Sequence, residues 1–374
     1  MSALADEARA LDAEILRTIE AWHKRGTELS DAAFGALALR IFAFQLRANE
    51  PYARYCAAQG VTLEAMPADW HGIPPVPAAA FKEATLATFD TAATPGSLVF
   101  QSSGTTTGAG GRHYMENAKL YDAALLAGFD HFMLPDHLRL RYLNLVPDPK
   151  LAPQSSLGYM AGKVAASRGD GNPAWYINGD AINVEAFVAD VQSAIEHDRP
   201  LCIITTAFAL VQLLDVLYER GHYFALPTGS RIMETGGFKG RSRSVQRAEL
   251  YYRTCERFGA TLGAVVAEYG MTELTSQYYD VVLLQGLLEM HTEPRYKQAP
   301  TWLRTRVVGA DGLTLPNGTV GALVHVDLAN RSSCVAVQTE DLGAQFDEGM
   351  ILIGRERGAE LRGCSLAAED LVVQ

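Results

Sequence analysis

A chain of 374 residues with 48 % hydrophobic and 20 % charged side chains has the composition of a folded globular protein, long enough for one large α/β body or two lobes sharing a cleft, and not that of a disordered one. The formal net charge of −11 repels nucleic-acid phosphates, and no run of Lys and Arg interleaved with aromatics offsets it, so nucleic acid is excluded as an expected partner. The five scattered cysteines read as reduced thiols, and the nine histidines show no HxxxH or HExxH spacing, nor is there a CxxC pair, that would hold zinc.

The opening residues, MSALADEARALDAEIL, are acidic and amphipathic, without the basic start and apolar core of a secretory signal, which predicts a cytoplasmic protein. The first hundred residues read as mostly helical, with Phe34, Leu37, Leu39, Ile41, Phe42, Phe44 and Leu46 on a broad apolar face that ends at Asn49, Glu50 and Pro51. The stretch from Gly72 to Pro77 is too rich in proline for a helix or a central strand and predicts a rigid connector. From Ser97 onward, apolar runs at SLVFQ, LRYLNLV, LCIITT, ATLGAVVAEY and VGALVHVDL alternate with helical stretches, the signature of an α/β fold. Leu201 to Leu217 is the most apolar stretch but is interrupted by Thr205, Thr206, Gln212 and Asp215, so no membrane span is expected. A helix is predicted from about Ser244, with that serine as its N-cap and Ala248, Tyr251, Tyr252, Cys255 and Phe258 on one face.

Three constellations carry chemistry. Gln101-Ser-Ser-Gly-Thr-Thr-Thr-Gly108 follows the SLVFQ run directly, and its glycines and hydroxyls suit convergence on a phosphate, although no Gly-Lys-Ser/Thr closes it as in a Walker loop. On composition alone the same run reads equally well as a plain polar loop. Glu268-Tyr-Gly-Met-Thr-Glu273 ends another strand-like run, where open α/β sheets bind ligands: Tyr269 offers a face for stacking, Thr272 a hydroxyl and Glu273 a hard oxygen for Mg²⁺. Standing alone, Glu273 reads as a solvated loop carboxylate. In Thr339-Glu-Asp-Leu-Gly343, Asp341 at the end of a β-rich segment suits two ribose hydroxyls, with Arg355 following in Gly349-Met-Ile-Leu-Ile-Gly-Arg355.

In this order the three resemble the nucleotide-binding signatures of the adenylate-forming superfamily, and NEPYARYC, IPPVPAAAFK, SSGTTTG, ETGGFKGRSRSV, EYGMTELTSQYY and LRGC together resemble the LuxE-like acyl-protein synthetases over residues 49 to 364. The resemblance implies the large lobe of that α/β fold, with mixed β-sheets flanked by helices and without a full C-terminal lid domain. It divides the chain into a helical segment, 1–96, an α/β nucleotide- and acyl-binding lobe, 97–354, and a tail, 355–374. It implies ATP and Mg²⁺ as cofactors, with Ser102, Ser103, Gly104, Thr105 and Thr106 as the phosphate loop and Gly236 and Gly237 in the adenine pocket. Tyr269 would lie on the adenine, Thr272 at the phosphates, Glu273 on Mg²⁺, Asp341 on the ribose and Arg355 at ribose or phosphate. Two features depart from the larger superfamily: no Pro-Lys pair follows the loop, and Arg357 stands where the hinge residue is usually an acid.

The reaction so implied joins a carboxylic acid, fatty or otherwise apolar, to AMP, then moves the acyl group to a thiol. A carboxylate is ionised at neutral pH, so its attack on the α-phosphate asks for alignment and charge cancellation and not for a general base. Cys56, Cys202, Cys255 and Cys334 have ordinary core settings, whereas Cys364 lies in a polar stretch beside Arg362, which would favour thiolate. The resemblance makes Cys364 the acyl carrier and a reductase, thioesterase or acyl carrier protein the partner; on the residues alone it could equally be an inert loop thiol. Two other readings remain at this stage: direct transfer to a carrier-protein thiol, CoA or amine, with CoA disfavoured by the absent lid, and a nucleotide-binding scaffold subunit without catalysis.

Overall fold

The computed structural model describes residues 3–102, 110–179, 181–236, 246–287 and 295–355. These fall into two compact units, the first built from residues 1–128, 271–277 and 298–374 and the second from 129–270 and 278–297. The architecture is mixed α/β, with β-sheets flanked by helices.

In the first unit, four strands pair antiparallel in the order Leu303–Val308, Gly321–Asp327, Ala336–Phe346 and Gly349–Arg355. A hairpin of Leu98–Gln101 with Arg112–Met115 carries the chain into and out of the Ser/Gly/Thr run. The helix Ala3–Arg25 buries Leu11, Ile15, Ile19 and Trp22 on one stripe, the 3.6-residue pattern of a helix with one dry face. Ser30 caps the next helix, Asp31–Ala48, by accepting from the Ala33 N–H, and that helix buries Phe34, Leu37, Ile41, Phe42, Phe44 and Leu46 as the sequence predicts. Gly72 to Pro77 is not only a connector: Val76 and Pro77 pair in parallel with Val337 and Gln338. Proline is tolerated there because the pairing is two residues long, and the next amide, of Ala78, supplies the bond to the Gln338 carbonyl at 2.8 Å.

In the second unit, Ala174–Trp175, Arg141–Leu145, Leu201–Thr206, Arg231–Thr235 and Val265–Tyr269 form a parallel sheet in that spatial order, and Tyr278–Asp280 adds an antiparallel strand. Arg231–Thr235 and Val265–Tyr269 are buried along their whole length, as parallel strands covered by helices are. Leu143, Ile203, Ile232 and Val265 from the sheet pack with Phe187, Leu210, Leu214 and Phe258 from the helices in one apolar core.

The predicted helix near Ser244 starts later. It runs Arg247–Phe258 from Gln246, whose side chain makes no capping bond, and Ser244 lies outside the described residues. Its inner face is Leu250, Tyr251, Thr254 and Phe258, so Tyr252 points outward at 69 % exposure, rotated one step from the expected stripe. The strand around Asp341 also differs from expectation: it spans Ala336–Phe346, which puts Asp341 mid-strand beside a register shift at Leu342 and Gly343 and not at a strand end.

Candidate active site

Two residues of the first unit that the sequence singles out, Ser102 and Glu273, approach one another at a glycine. The Ser102 amide donates to the Gly111 carbonyl at 2.9 Å, and the Gly111 amide donates back to Ser102 Oγ at 2.8 Å, closing the neck of the Ser/Gly/Thr run. A Cβ placed on Gly111 would stand 3.2 Å from Glu273 Oε1 and 3.4 Å from Ser102 Oγ, so the space between the serine hydroxyl and the carboxylate is kept open by the missing side chain. Glu273 is buried and Thr272 half-buried.

The backbone of this turn is held from outside the motif. His113, fully buried on the strand Arg112–Met115, places Nδ1 2.7 Å from the Thr272 carbonyl oxygen and Nε2 2.9 Å from Asn330 Oδ1. Asn330 Nδ2 in turn donates to the Glu273 carbonyl at 2.9 Å. Burial lowers the His113 pKa, against the bonds to Thr272 and Asn330, which favour the proton. The Thr272 carbonyl can only accept, so the bond at Nδ1 needs the ring hydrogen there, whereas Nε2 faces the Asn330 amide group. Further along, Asp327 accepts from the Thr275 amide and from Ser276 Oγ, both at 2.9 Å; burial outweighs these bonds and leaves its pKa raised to about 6. Gln45 reaches from the helix Asp31–Ala48 to the Asn330 carbonyl at 2.9 Å and accepts from the Val335 amide at 2.9 Å, fixing the segment that supplies Asn330.

In the second unit, Thr235-Gly236 and Glu268-Tyr269 end adjacent parallel strands, with Glu268 in register with Thr235. Carboxyl ends of parallel strands are where open sheets bind ligands. Tyr269 is buried and leans on Tyr278, ring centroids 5.7 Å apart; Gly236 turns the chain away with φ +78°. Thr235 Oγ1 donates to Glu268, whose pKa burial lifts to about 7. Beside them Glu234, with its own pKa raised by burial, accepts from Tyr251 OH at 2.8 Å, and Lys297 Nζ binds Asp280 at 2.7 Å and the Ala267 carbonyl at 2.6 Å.

The structure thus brings Ser102 and Glu273 together in the first unit, with Thr272 preceding Glu273 in the chain, and Gly236 with Tyr269 in the second. Asp341 stands opposite Arg355 in the antiparallel register. Ser103, Gly104, Thr105, Thr106, Gly237 and Cys364 lie outside the described residues. Of the other cysteines, Cys56 and Cys202 have thiol pKa values pushed to about 12 by burial, Cys334 is also raised by burial, and Cys255 is half-buried and raised as well; none is poised as a thiolate. Sequence reasoning missed His113, Asn330, Asp327 and Gln45. A signal was available in polar side chains set inside apolar runs, as in GRHYM and VHVDLANR.

Among the described residues no three His, Cys, Asp or Glu side chains cluster as a complete metal site. Mg²⁺ bound with ATP asks for less, because one or two carboxylates and the phosphates complete its shell, and Glu273 beside the gap at Gly111 fits that part. No helix among the described residues is long and apolar enough to cross a membrane.

An open-conformation 2-hydroxyisobutyryl-CoA ligase, solved with its acyl-adenylate and CoA, superposes with a TM-score of 0.62 at 15 % identity, covering 91 % of this chain and 79 % of that one, which fixes the fold. An amide bond synthetase from Marinactinospora thermotolerans gives 0.46 at 18 % identity over 69 % of this chain and 48 % of that one. An o-succinylbenzoate coenzyme A synthetase from Bacillus subtilis, solved with ATP and magnesium, gives 0.47 at 16 % identity over 71 % and 51 %. The chain spans about half the length of these last two. No curated protein matches it in sequence. The acyl-protein synthetase (LuxE) family model matches residues 25–372, nearly the whole chain, and the chain belongs to that family.

Proposed function

We propose that the protein uses ATP to activate a carboxylic acid of apolar character as an acyl-adenylate and passes the acyl group to a thiol, that of Cys364, and onward to a partner protein such as a reductase, thioesterase or acyl carrier protein. The observation that carries the reading is the meeting of Ser102, Gly111 and the Glu273 carboxylate at one point, in a chain of the acyl-protein synthetase family. In the first step a substrate carboxylate oxygen bonds to the α-phosphorus and the bond to the β-phosphate breaks, releasing pyrophosphate. Ser102 and the Ser/Gly/Thr run through Thr106 would donate to the phosphates, with Thr272 beside them. Glu273 would hold Mg²⁺, which supplies charge neutralisation when bound. Tyr269 and the glycines Gly236 and Gly237 would cover the adenine; Asp341 would take the ribose hydroxyls and Arg355 would steady ribose or phosphate. In the second step the Cys364 thiolate attacks the acyl carbon and AMP leaves with the electrons of the broken C–O bond.

The test is acid-dependent exchange of labelled pyrophosphate into ATP across a panel of acids. Glu273→Gln should lower exchange by about a hundredfold or more, the usual range for removing a group that stabilises charge in the transition state. ATP binding without exchange on any acid would favour a scaffold. Cys364→Ala should keep exchange near the parent rate yet accumulate no hydroxylamine-labile acyl adduct by intact mass. An adduct on the Ala variant, or none on the parent, would transfer the acyl group straight from the adenylate to its acceptor.

A further inference from the structure

Thr272 and Glu273 are aimed by two buried side chains from outside the motif. Their two carbonyls are consecutive, and each is held by a different buried side chain: Thr272 by His113 Nδ1 at 2.7 Å and Glu273 by Asn330 Nδ2 at 2.9 Å. Holding successive carbonyls fixes the two peptide planes, and those planes set the direction of the Glu273 Cα–Cβ bond between them. His113 and Asn330 also lie directly against one another, 2.9 Å between Nε2 and Oδ1, so a change in either side chain is felt by the other. Both are anchored at their far ends. The His113 ring packs edge-on against Phe81, 5.9 Å between centroids, and Gln45 grips the Asn330 carbonyl. His113 lies only two residues beyond Gly111, so the strand that frames the phosphate-loop neck also carries the strut for the carboxylate turn.

We propose that His113 and Asn330 are positioning residues for adenylation, aligning the Thr272 hydroxyl and the Glu273 carboxylate with the Ser102 neck so that both meet the same phosphates. This rests on the proposed roles of Thr272 and Glu273. A residue that only stabilised the fold would lower the amount of active enzyme without changing its metal requirement. A positioning residue shifts the nucleotide and metal parameters and leaves the acid parameters alone.

The experiment measures pyrophosphate exchange against Mg²⁺, ATP and acid separately, with melting temperature, for the parent, Asn330→Ala, His113→Ala, His113→Asn and Glu273→Gln. Asn330→Ala and His113→Ala should raise the half-saturating Mg²⁺ and the KM for Mg·ATP about tenfold, with the acid KM within twofold. His113→Asn should recover most of the loss, because the asparagine amide nitrogen sits where Nδ1 sits and can still donate to the Thr272 carbonyl. Unchanged Mg²⁺ and ATP dependence in folded Asn330→Ala, or no recovery in His113→Asn relative to His113→Ala, overturns the proposal while leaving Glu273 in its role. Should His113→Ala fail to fold, the comparison of Asn330→Ala with the parent decides alone. Parent-like exchange by Glu273→Gln would instead overturn the reading of the carboxylate itself.

Discussion

The two units hold their motifs in opposite ways. In the first, the turn from Thr272 to Ser276 is clasped by side chains that end on its backbone or hydroxyls: His113, Asn330 and Asp327. In the second, the side chains beside the strand ends that carry Gly236 and Tyr269 are charged or chargeable and bond chiefly to one another, Glu234 with Tyr251, Glu268 with Thr235 and Lys297 with Asp280, with Lys297 also reaching the Ala267 carbonyl. A clasp on backbone sets geometry. A buried carboxyl and ammonium set stores electrostatic free energy, so its stability depends on which partners are present and on pH.

The largest effect separating the two modes should come from Lys297→Met. It keeps the side-chain length but leaves Asp280, buried, with Arg295 as its remaining ionic partner at 3.0 Å. Breaking a buried pair from one side costs about 3–5 kcal/mol, to be read from denaturant unfolding. A loss below 1 kcal/mol would mean that Arg295 alone satisfies Asp280 and that the second unit does not rely on the pair.

Next is Glu268→Gln, which probes pH. Burial raises this carboxyl from 4.5 to about 7, so the folded chain holds a proton that the unfolded chain has released between those values. The contribution to stability is present in full below 4.5 and is lost as the pH rises through 7. Glutamine carries no such slope, so its stability relative to the parent should grow with pH, reaching on the order of 3 kcal/mol above neutrality. Parallel unfolding curves for parent and variant at pH 5 and pH 8.5 would show that Glu268 is ionised at both.

The smallest effects should come from two neighbouring glycines at the neck of the Ser/Gly/Thr run. A Cβ on Gly110 would collide with the Ser102 carbonyl oxygen, which is backbone, so Gly110→Ala must shift the chain and should cost about 1–3 kcal/mol. On Gly111 the Cβ meets nothing closer than the Glu273 carboxylate at 3.2 Å and Phe81 Cβ at 3.3 Å, contacts that a shift of a few tenths of an ångström relieves. Gly111→Ala should therefore cost less stability than Gly110→Ala while lowering exchange severalfold. Equal losses of stability at both positions would blur the distinction between a structural neck and an open site.

Much of this is legible in the sequence. The apolar runs at Leu201 and Val265 are strands because parallel strands buried on both faces need no alternation, and the Glu268 motif falls at the carboxyl end of such a strand, whereas the Ser102 motif follows one arm of an antiparallel hairpin. Tyr252 misled because a tyrosine's apolar body says nothing of which side of the helix is covered; the stripe was decided by Leu250, Thr254 and Phe258. Asn330 and His113 were out of reach for another reason. Their partners lie 57 and 159 positions away along the chain, and a bond to a backbone carbonyl leaves no trace in the identity of the residue that accepts it. Asp341 was placed at a strand end because the acid and the glycine that follow a β-rich run usually mark one; here they mark a bulge.

The first helix has a practical bearing on how the protein can be shortened. Arg331, 1 % exposed and adjacent in sequence to Asn330, binds Asp12 of that helix through both carboxylate oxygens and Glu116 on its other side. Trp22 stands edge-on to Trp302 at 5.2 Å. The family match begins at residue 25, an inviting place to trim. A chain cut there would uncover Trp302 and leave the Arg331 guanidinium with half its charge partners, one peptide bond from the amide that holds Glu273. Fusion tags belong ahead of the first helix, and on the proposed role of Glu273 a version begun at residue 25 should show a raised KM for Mg·ATP in exchange, through the segment that holds the Glu273 carbonyl.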